Sequence, residues 1–217
     1  FQNSVDRVFE EALSVIKGAG AEVIDDISLP DQQTIRQHEI NVMRTEFKVS
    51  LNSYLAGSTN QNGVNSLSDL ISFNDKNAPT VMPYFQQEQL IAAEATNGVD
   101  DPKYIQAMKE CHRLTRGEGI DKVLSDYSCC SLVAPTISTP WAIDLLNGDN
   151  RLGGSSCLAA VSGYPSVTLP MGYVSGLPVG LSFIGGAWED HSIIDLAYAF
   201  EQTSLVRQPP GHPARFL

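Results

Sequence analysis

The 217-residue chain is 42% hydrophobic and 18% charged, a balance that supports a buried core and argues against disorder. Fourteen Lys plus Arg stand against 25 Asp plus Glu, and the formal charge of −11 repels phosphate backbones and anionic lipid surfaces. Nucleic acid and membrane are therefore not expected partners, and no apolar run approaches the roughly 20 residues that a bilayer span needs.

The chain opens on Phe1, inside a helical pattern, with Asp6, Arg7, Glu10 and Glu11 set among its apolar positions. That is not a secretory leader, and a longer native product in the cytoplasm is the expectation. Phe1, Val5, Val8, Phe9, Ala12, Leu13 and Ile16 share one helical face, which Gly18 and Gly20 end. AEVIDDISLP reads as a short strand closed by Pro30. A second helix from about Thr34 to Ala56 carries Ile35, Met43, Phe47, Leu51, Tyr54 and Leu55 as its apolar set. Asn60 to Asn65 is a loop, and SLSD at Ser66 to Asp69 is a capping box opening another helix.

Pro83 is placed to open a helix through about Thr96, and Asp101 with Pro102 to open one through about Arg116. Gly119 to Asp126 is a short helix or turn, and CCSLVAP a buried strand. Past a loop from Trp141 to Asn150, the pattern gives a short helix at Ser155 to Val161. Strands at Ser166 to Pro170 and Val179 to Ile184 follow, then a helix from Asp190 to about Thr203. QPPGHP marks a tail that cannot continue that helix. There is no internal repeat and no visible domain boundary, so residues 1–217 are read as one unit. Strands separated by helices indicate an α/β fold with helices packed on a sheet.

Chemistry is scarce among the usual signatures. Cys111, Cys129, Cys130 and Cys157 form no C-x-x-C pair and read as buried free thiols in a reducing compartment. A Ser-His-Asp hydrolase needs a nucleophile on a G-x-S-x-G elbow, but GLSFI around Ser182 lacks the second glycine. His38, His112, His191 and His212 read as solvated surface residues. Asp190, His191 and Asp195 lie at a helix start where Asp190 serves as an N-cap, so no metal site is assigned. RLGGSS has neither a Walker lysine nor a full G-x-G-x-x-G, and no cofactor is expected. Ser155 and Ser156, just before LAAV, read first as N-caps.

GGSSCLAAVSGYPSVTLPMG followed by GLPVGLSFIGGAWEDHSIIDLAYAFEQ closely resembles the C-terminal part of the amidase signature family. FNDKNAPTVMPYFQQEQL, DPKYIQAM, GIDKVL and LVAPT resemble, in order, further blocks of bacterial and fungal amidases, peptide amidases among them. FEEALSVIKGAGAEVID extends the likeness to nearly the whole chain. The resemblance implies a mixed sheet flanked by helices, the C-terminal part of the amidase signature fold. It also implies amide hydrolysis by a Ser-cis-Ser-Lys triad, without metal or cofactor, whose three members all precede this chain's first residue. Lys103, Lys109 and Lys122 lie on solvated faces and Ser175 in a strand connection, so no catalytic residue is assigned here. The same likeness puts Ser155, Ser156, Leu158 and Val161 at the acyl pocket, with Trp141 on a rim formed by Pro135 to Trp141. The expected partners are a small-molecule or peptide amide and the missing N-terminal half of the same enzyme. Self-association of the isolated chain through an uncovered strand edge is also expected. A natively short binding or assembly module, and a hydrolase using an unrecognised serine, remain the alternative readings.

Overall fold

Asp31, Ser66 and Asp101 each stand one residue before a helix and turn a side-chain oxygen onto a free N–H. Asp31 Oδ2 accepts from Thr34 N at 2.8 Å, Ser66 Oγ from Asp69 N at 3.1 Å, and Asp101 Oδ1 from Lys103 N at 2.8 Å. Asp69 Oδ2 in turn accepts from Asn65 N at 3.0 Å, one residue before the cap, and ties the helix start from the other side. The helices so started are α2 (Gln32–Ala56), α3 (Leu67–Lys76) and α6 (Pro102–His112), with α1 (Asn3–Gly18) ahead of them and the short α4 (Ala78–Val81) and α5 (Glu88–Glu94) between. The computed structural model describes residues 1–25, 27–57 and 63–210. Part of the loop read at Asn60 to Asn65, and His212 in the tail, lie outside these residues.

The described chain divides into two compact units. The helical unit holds Pro30–Leu114 together with Asp144–Gly148. Helix α2 packs on α3, α5 and α6 around Ile35, Leu67, Ala93, Ala107 and Cys111, all buried. Pro83 does not open α5, which starts at Glu88. The buried amide of Gln87 explains the delay: it donates to Ile71 O and Asp75 Oδ1 and accepts from Asn74 Nδ2, three groups on α3 that hold the chain out of helical register. Helix α2 also departs from the expected core face, because Met43, Phe47 and Tyr54 are exposed while Ile35 and Thr45 point inward.

The second unit holds Phe1–Leu29, Thr115–Ile143 and the chain from Asp149 onward. Its elements are α1, α7 (Asp121–Asp126), β1 (Leu132–Pro135), α8 (Ser156–Ser162), β2 (Ser166–Val174), β3 (Leu177–Ile184) and α9 (Asp190–Ser204). The stretch Arg113–Ile120, kinked by non-helical backbone at Gly119 (φ −102°, ψ −111°), precedes α7. The strands form an antiparallel sheet in the order β1-β3-β2. Ser175 (φ 51°) and Gly176 (φ 80°) both take left-handed backbone between the paired Val174 and Leu177, which is the two-residue turn that matches strand twist. Leu181, Phe183, Val179 and Met171 on one sheet face meet Val5, Val8 and Ala12 of α1 and Ile193, Ala197 and Phe200 of α9. The Phe183 and Phe200 rings lie 6.1 Å apart, a tilted pair. The α/β expectation of helices on a sheet therefore holds.

Three local readings change. AEVIDDISLP forms no strand over residues 21–25 and 27–30, because a strand needs a ladder partner and none is present among the described residues. Cys129 and Cys130 precede β1 instead of lying in it; Cys130 is exposed, Cys129 and Cys157 are half-buried, and only Cys111 is buried, all four as free thiols. Asp190 is the first residue of α9, and Glu189 holds the cap position without a side-chain cap bond, its Oε2 accepting from Ser192 Oγ at 2.6 Å. Among the described residues no helix is long and apolar enough to cross a membrane.

Candidate functional site

The glycine-serine loop is held by the chain that continues β1. Thr136 N donates to Gly180 O at 2.7 Å, which extends the sheet past Pro135. Ser155 N donates to Thr136 O at 3.0 Å, Ser138 N to Gly153 O at 3.4 Å, and Leu152 N to the buried Ser138 Oγ at 3.4 Å. Gly154 and Ile137 form an isolated antiparallel bridge between the two segments. Gly153 has φ 129°, and a Cβ there would lie 3.5 Å from the Phe1 ring, so the loop needs glycine for its backbone at this point. Thr139 Oγ1 donates to Gln2 Oε1 at 3.1 Å and ties the same stretch to the start of α1.

Ser155 is not the side-chain cap that its position suggests. It occupies the N-cap position of α8 without a side-chain cap bond, and its Oγ turns back to Thr136 O at 3.4 Å. Its backbone (φ −108°, ψ 1°) is not the extended conformation that aims a cap oxygen at the helix. Ser156 opens α8 and is exposed; Leu158 is buried and Val161 half-buried on the same seven-residue helix. Trp141 stands outside that helix, half-buried, its Nε1 donating to Asp149 Oδ1 at 3.0 Å. Four of the five residues singled out from the sequence thus share α8 and its first cap, and Trp141 has a separate anchor.

The end of α8 is fixed by groups the sequence reading passed over. Gly163 ends the helix in left-handed backbone (φ 71°). Arg116 Nε donates to Ser162 O at 2.8 Å and the guanidinium lies 5.7 Å from the centre of the Tyr164 ring. Tyr164 OH donates to Asp121 Oδ2 at 2.9 Å; partial burial and then that bond push the phenol pKa up. Thr136 and Ser138 lie in the Pro135 to Trp141 rim, but their hold on the loop was not read; a strand reading carried from LVAP through Ser138 would have found the partner of the loop.

Among the described residues no base is hydrogen-bonded to these hydroxyls. Ser182 is buried with its Oγ 2.8 Å from Thr136 Oγ1, which is itself 2.5 Å from Thr168 Oγ1. Lys103 and Lys109 are exposed, and Lys122 lies 2.5 Å from Asp126 Oδ2, a bond that raises its pKa and holds it protonated. Ser175 sits in the exposed hairpin turn. His191 Nδ1 lies 3.0 Å from Asp195 Oδ2 at a highly exposed helix start. His38 and His112 are half-buried on α2 and α6, not solvated as expected. Among the described residues no group of three or more His, Cys, Asp or Glu is placed to hold a metal ion.

The amidase family profile matches residues 1–194. A probable amidase of Arabidopsis thaliana is 31% identical over 212 residues, covering 94% of this chain and 37% of that protein. The native peptide amidase of Stenotrophomonas maltophilia superposes with a TM-score of 0.86 at 39% identity, covering 96% of this chain and 42% of that one. An amidase family protein of Bacillus anthracis gives a TM-score of 0.73 at 25% identity over 98% of this chain and 38% of that one. The chain thus spans about two fifths of the length of these relatives. A profile match over most of the residues, joined to a shared fold with a peptide amidase, settles kinship: the chain belongs to the amidase family.

Proposed function

We propose that this chain is the C-terminal portion of an enzyme that hydrolyses a carboxamide to a carboxylic acid and ammonia or an amine. A serine oxygen adds to the carbonyl carbon, the C–N bond breaks, the nitrogen leaves with a proton, and water then releases the acid. The nucleophile and its lysine-linked base belong to the remaining part of the enzyme, and the isolated chain is inactive. The observation that carries this reading is the state of the loop serines: Ser155 Oγ turns to a backbone carbonyl, and among the described residues neither serine has a base in its hydrogen-bond set. A nucleophile needs the opposite arrangement, with an acceptor base within reach of its proton.

Ser155, Ser156, Leu158, Val161 and Trp141 then serve the substrate side, shaping the wall against which the acyl group lies. The amide is a small molecule or a peptide amide, in keeping with the peptide amidase that shares the fold. Helix α2 supports a further partner surface. Ile40, Met43, Phe47 and Tyr54 make an exposed apolar stripe on the helix whose other side already packs on α5 and α6. A helix apolar on both sides is normally covered on both. The rest of the enzyme covers that stripe, and without it the chain self-associates.

Ammonia release from an amidated peptide, measured on the whole gene product, tests the assignment. Ser155→Ala and Ser156→Ala retain activity within about tenfold of the parent, because neither removes the nucleophile. A loss of roughly 10⁴-fold or more in either variant, the scale of a lost nucleophile, overturns the reading. So does covalent labelling of the isolated chain by a fluorophosphonate.

A further inference from the structure

We infer that Arg116 is a positioning residue for substrate recognition: it clamps the last turn of α8 and so fixes where Val161 stands in the acyl wall. That role rests on the reading of α8 as part of the wall.

Helix α8 has seven residues, too few to hold its own shape, and it starts without a side-chain cap bond. Its exit is where side chains take hold. Arg116 Nε donates to Ser162 O at 2.8 Å, one of the last carbonyls, which a helix leaves without an intrahelical partner. A cationic donor there makes a charge-assisted bond. A Cβ placed on Gly163 would stand 3.7 Å from Arg116 Nη2, so the guanidinium lies across the helix end. The same group lies 5.7 Å from the centre of the Tyr164 ring, and Tyr164 OH donates to Asp121 Oδ2 at 2.9 Å. Arg116 and Asp121 stand on either side of the kink at Gly119, and both reach the chain that leaves α8. A guanidinium suits this place better than an ammonium, since it donates along an edge while its face meets a ring.

Within the turn the other bonds converge on one carbonyl. Ala159 O accepts from Gly163 N at 2.9 Å, from Tyr164 N at 3.2 Å and from Ser162 Oγ at 3.1 Å. Ser162 is buried, and its Oγ also accepts from Tyr164 N at 3.1 Å. The carbonyl that Arg116 holds belongs to the residue after Val161, so a turn that slackens carries Val161 with it. Leu158, one turn earlier, is buried, whereas Val161 is half-buried and keeps surface to offer a substrate.

Amide exchange and kinetics on the whole gene product test the role. In Arg116→Met, exchange at Gly163 and Tyr164 accelerates by about tenfold or more while the β3 amides keep their rates. With peptides amidated on Ala, Leu and Phe, KM for the best of them rises about fivefold or more at a kcat within about twofold, and the preference among the three shifts by about threefold or more. A general loss of folding would lower kcat through the active fraction and leave KM and preference alone. Tyr164→Phe keeps the ring under the guanidinium, loses the bond to Asp121 and moves KM and preference the same way by about twofold. Should Arg116→Met not fold, Tyr164→Phe carries both readouts. Unchanged exchange at Gly163 and Tyr164 overturns the inference, whether or not the enzyme hydrolyses these amides. Faster exchange with unchanged KM and preference overturns it too, and Val161→Ala then separates the causes: a shifted preference in that variant leaves α8 in the acyl wall, and an unshifted one removes it.

Discussion

Gly180→Ala tests how the glycine-serine loop is held. Gly180 lies on β3, the middle strand, flanked by Thr136 and Thr168. A Cβ there would stand 2.8 Å from Thr136 Oγ1, 2.9 Å from Thr168 Oγ1 and 3.2 Å from Thr136 Cβ. An ordinary carbon–oxygen contact is about 3.4 Å, so each hydroxyl must retreat by roughly 0.5 Å. They are not free to do so. The two hydroxyls hold each other at 2.5 Å, and Thr136 Oγ1 also holds the buried Ser182 Oγ at 2.8 Å. Breaking one or both bonds costs about 1 kcal/mol each, and forcing a methyl into the gap adds about 1–3 kcal/mol. The expected loss is about 2–5 kcal/mol, read as a lower urea midpoint at unchanged m-value.

Two controls make the assignment specific. Thr168→Ala in the Gly180→Ala background costs less than in the parent, with a coupling of at least about 1 kcal/mol, because the opposing oxygen is gone. Thr136 O receives the Ser155 N–H, so amide exchange at Ser155 accelerates more in Gly180→Ala than in a core variant of equal destabilisation. A Gly180→Ala chain within about 0.5 kcal/mol of the parent, or additive behaviour with Thr168→Ala, would refute the reasoning.

Ser66→Ala removes the side-chain cap of α3 and lowers stability by about 1 kcal/mol, measured by urea unfolding. Acid acts through Asp31, Asp69, Asp101 and Asp144. Each is held below the ordinary value of 3.8, chiefly by the Thr34 N–H for Asp31, the Ser66 side chain for Asp69, the Lys103 N–H for Asp101 and the Asn147 N–H for Asp144. Folding favours the ionised form, so their contribution is complete above 3.8 and is lost as pH falls through the lowered values; a urea midpoint that rises on acidification below about pH 4 contradicts this. Thiol titration with a disulfide reagent gives Cys130 as the fast site and Cys129 and Cys157 as slower ones. Cys111, whose thiol pKa burial pushes up, reacts only on unfolding.

Local chemistry was legible where it decides the backbone by itself. The SLSD box and the Asp101–Pro102 start both depend on neighbours within a few residues, and each stands where its pattern puts it. The failures share a different cause. AEVIDDISLP has a strand's alternation but no ladder, and Pro83 has a helix opener's chemistry while Gln87 answers to α3 instead. Met43, Phe47 and Tyr54 have the spacing of a core face on a helix whose buried side faces another way. In each case a partner distant in sequence, or the lack of one among the described residues, decides against a sound local preference.

The same distinction bears on Gly153-Gly154-Ser155-Ser156. As a string it looks like a loop presenting a nucleophile. In the fold, each member has a structural duty that depends on the segment after β1. Gly153 supplies a left-handed backbone against Phe1, and Gly154 bridges to Ile137. Ser155 spends its N–H and its hydroxyl on Thr136 O. Only Ser156 is left with an exposed hydroxyl, at the start of a helix of seven residues. Substitution in this loop should therefore act through geometry. A bulky residue at Gly153 detaches the loop from 136–138 and moves α8 with it, whereas Ser156→Ala changes neither. If the loop lines an acyl pocket, Gly153 variants shift substrate preference among amides in the whole enzyme and Ser156→Ala leaves that preference in place. A Ser156→Ala enzyme with altered preference would instead give that hydroxyl a direct part in recognition.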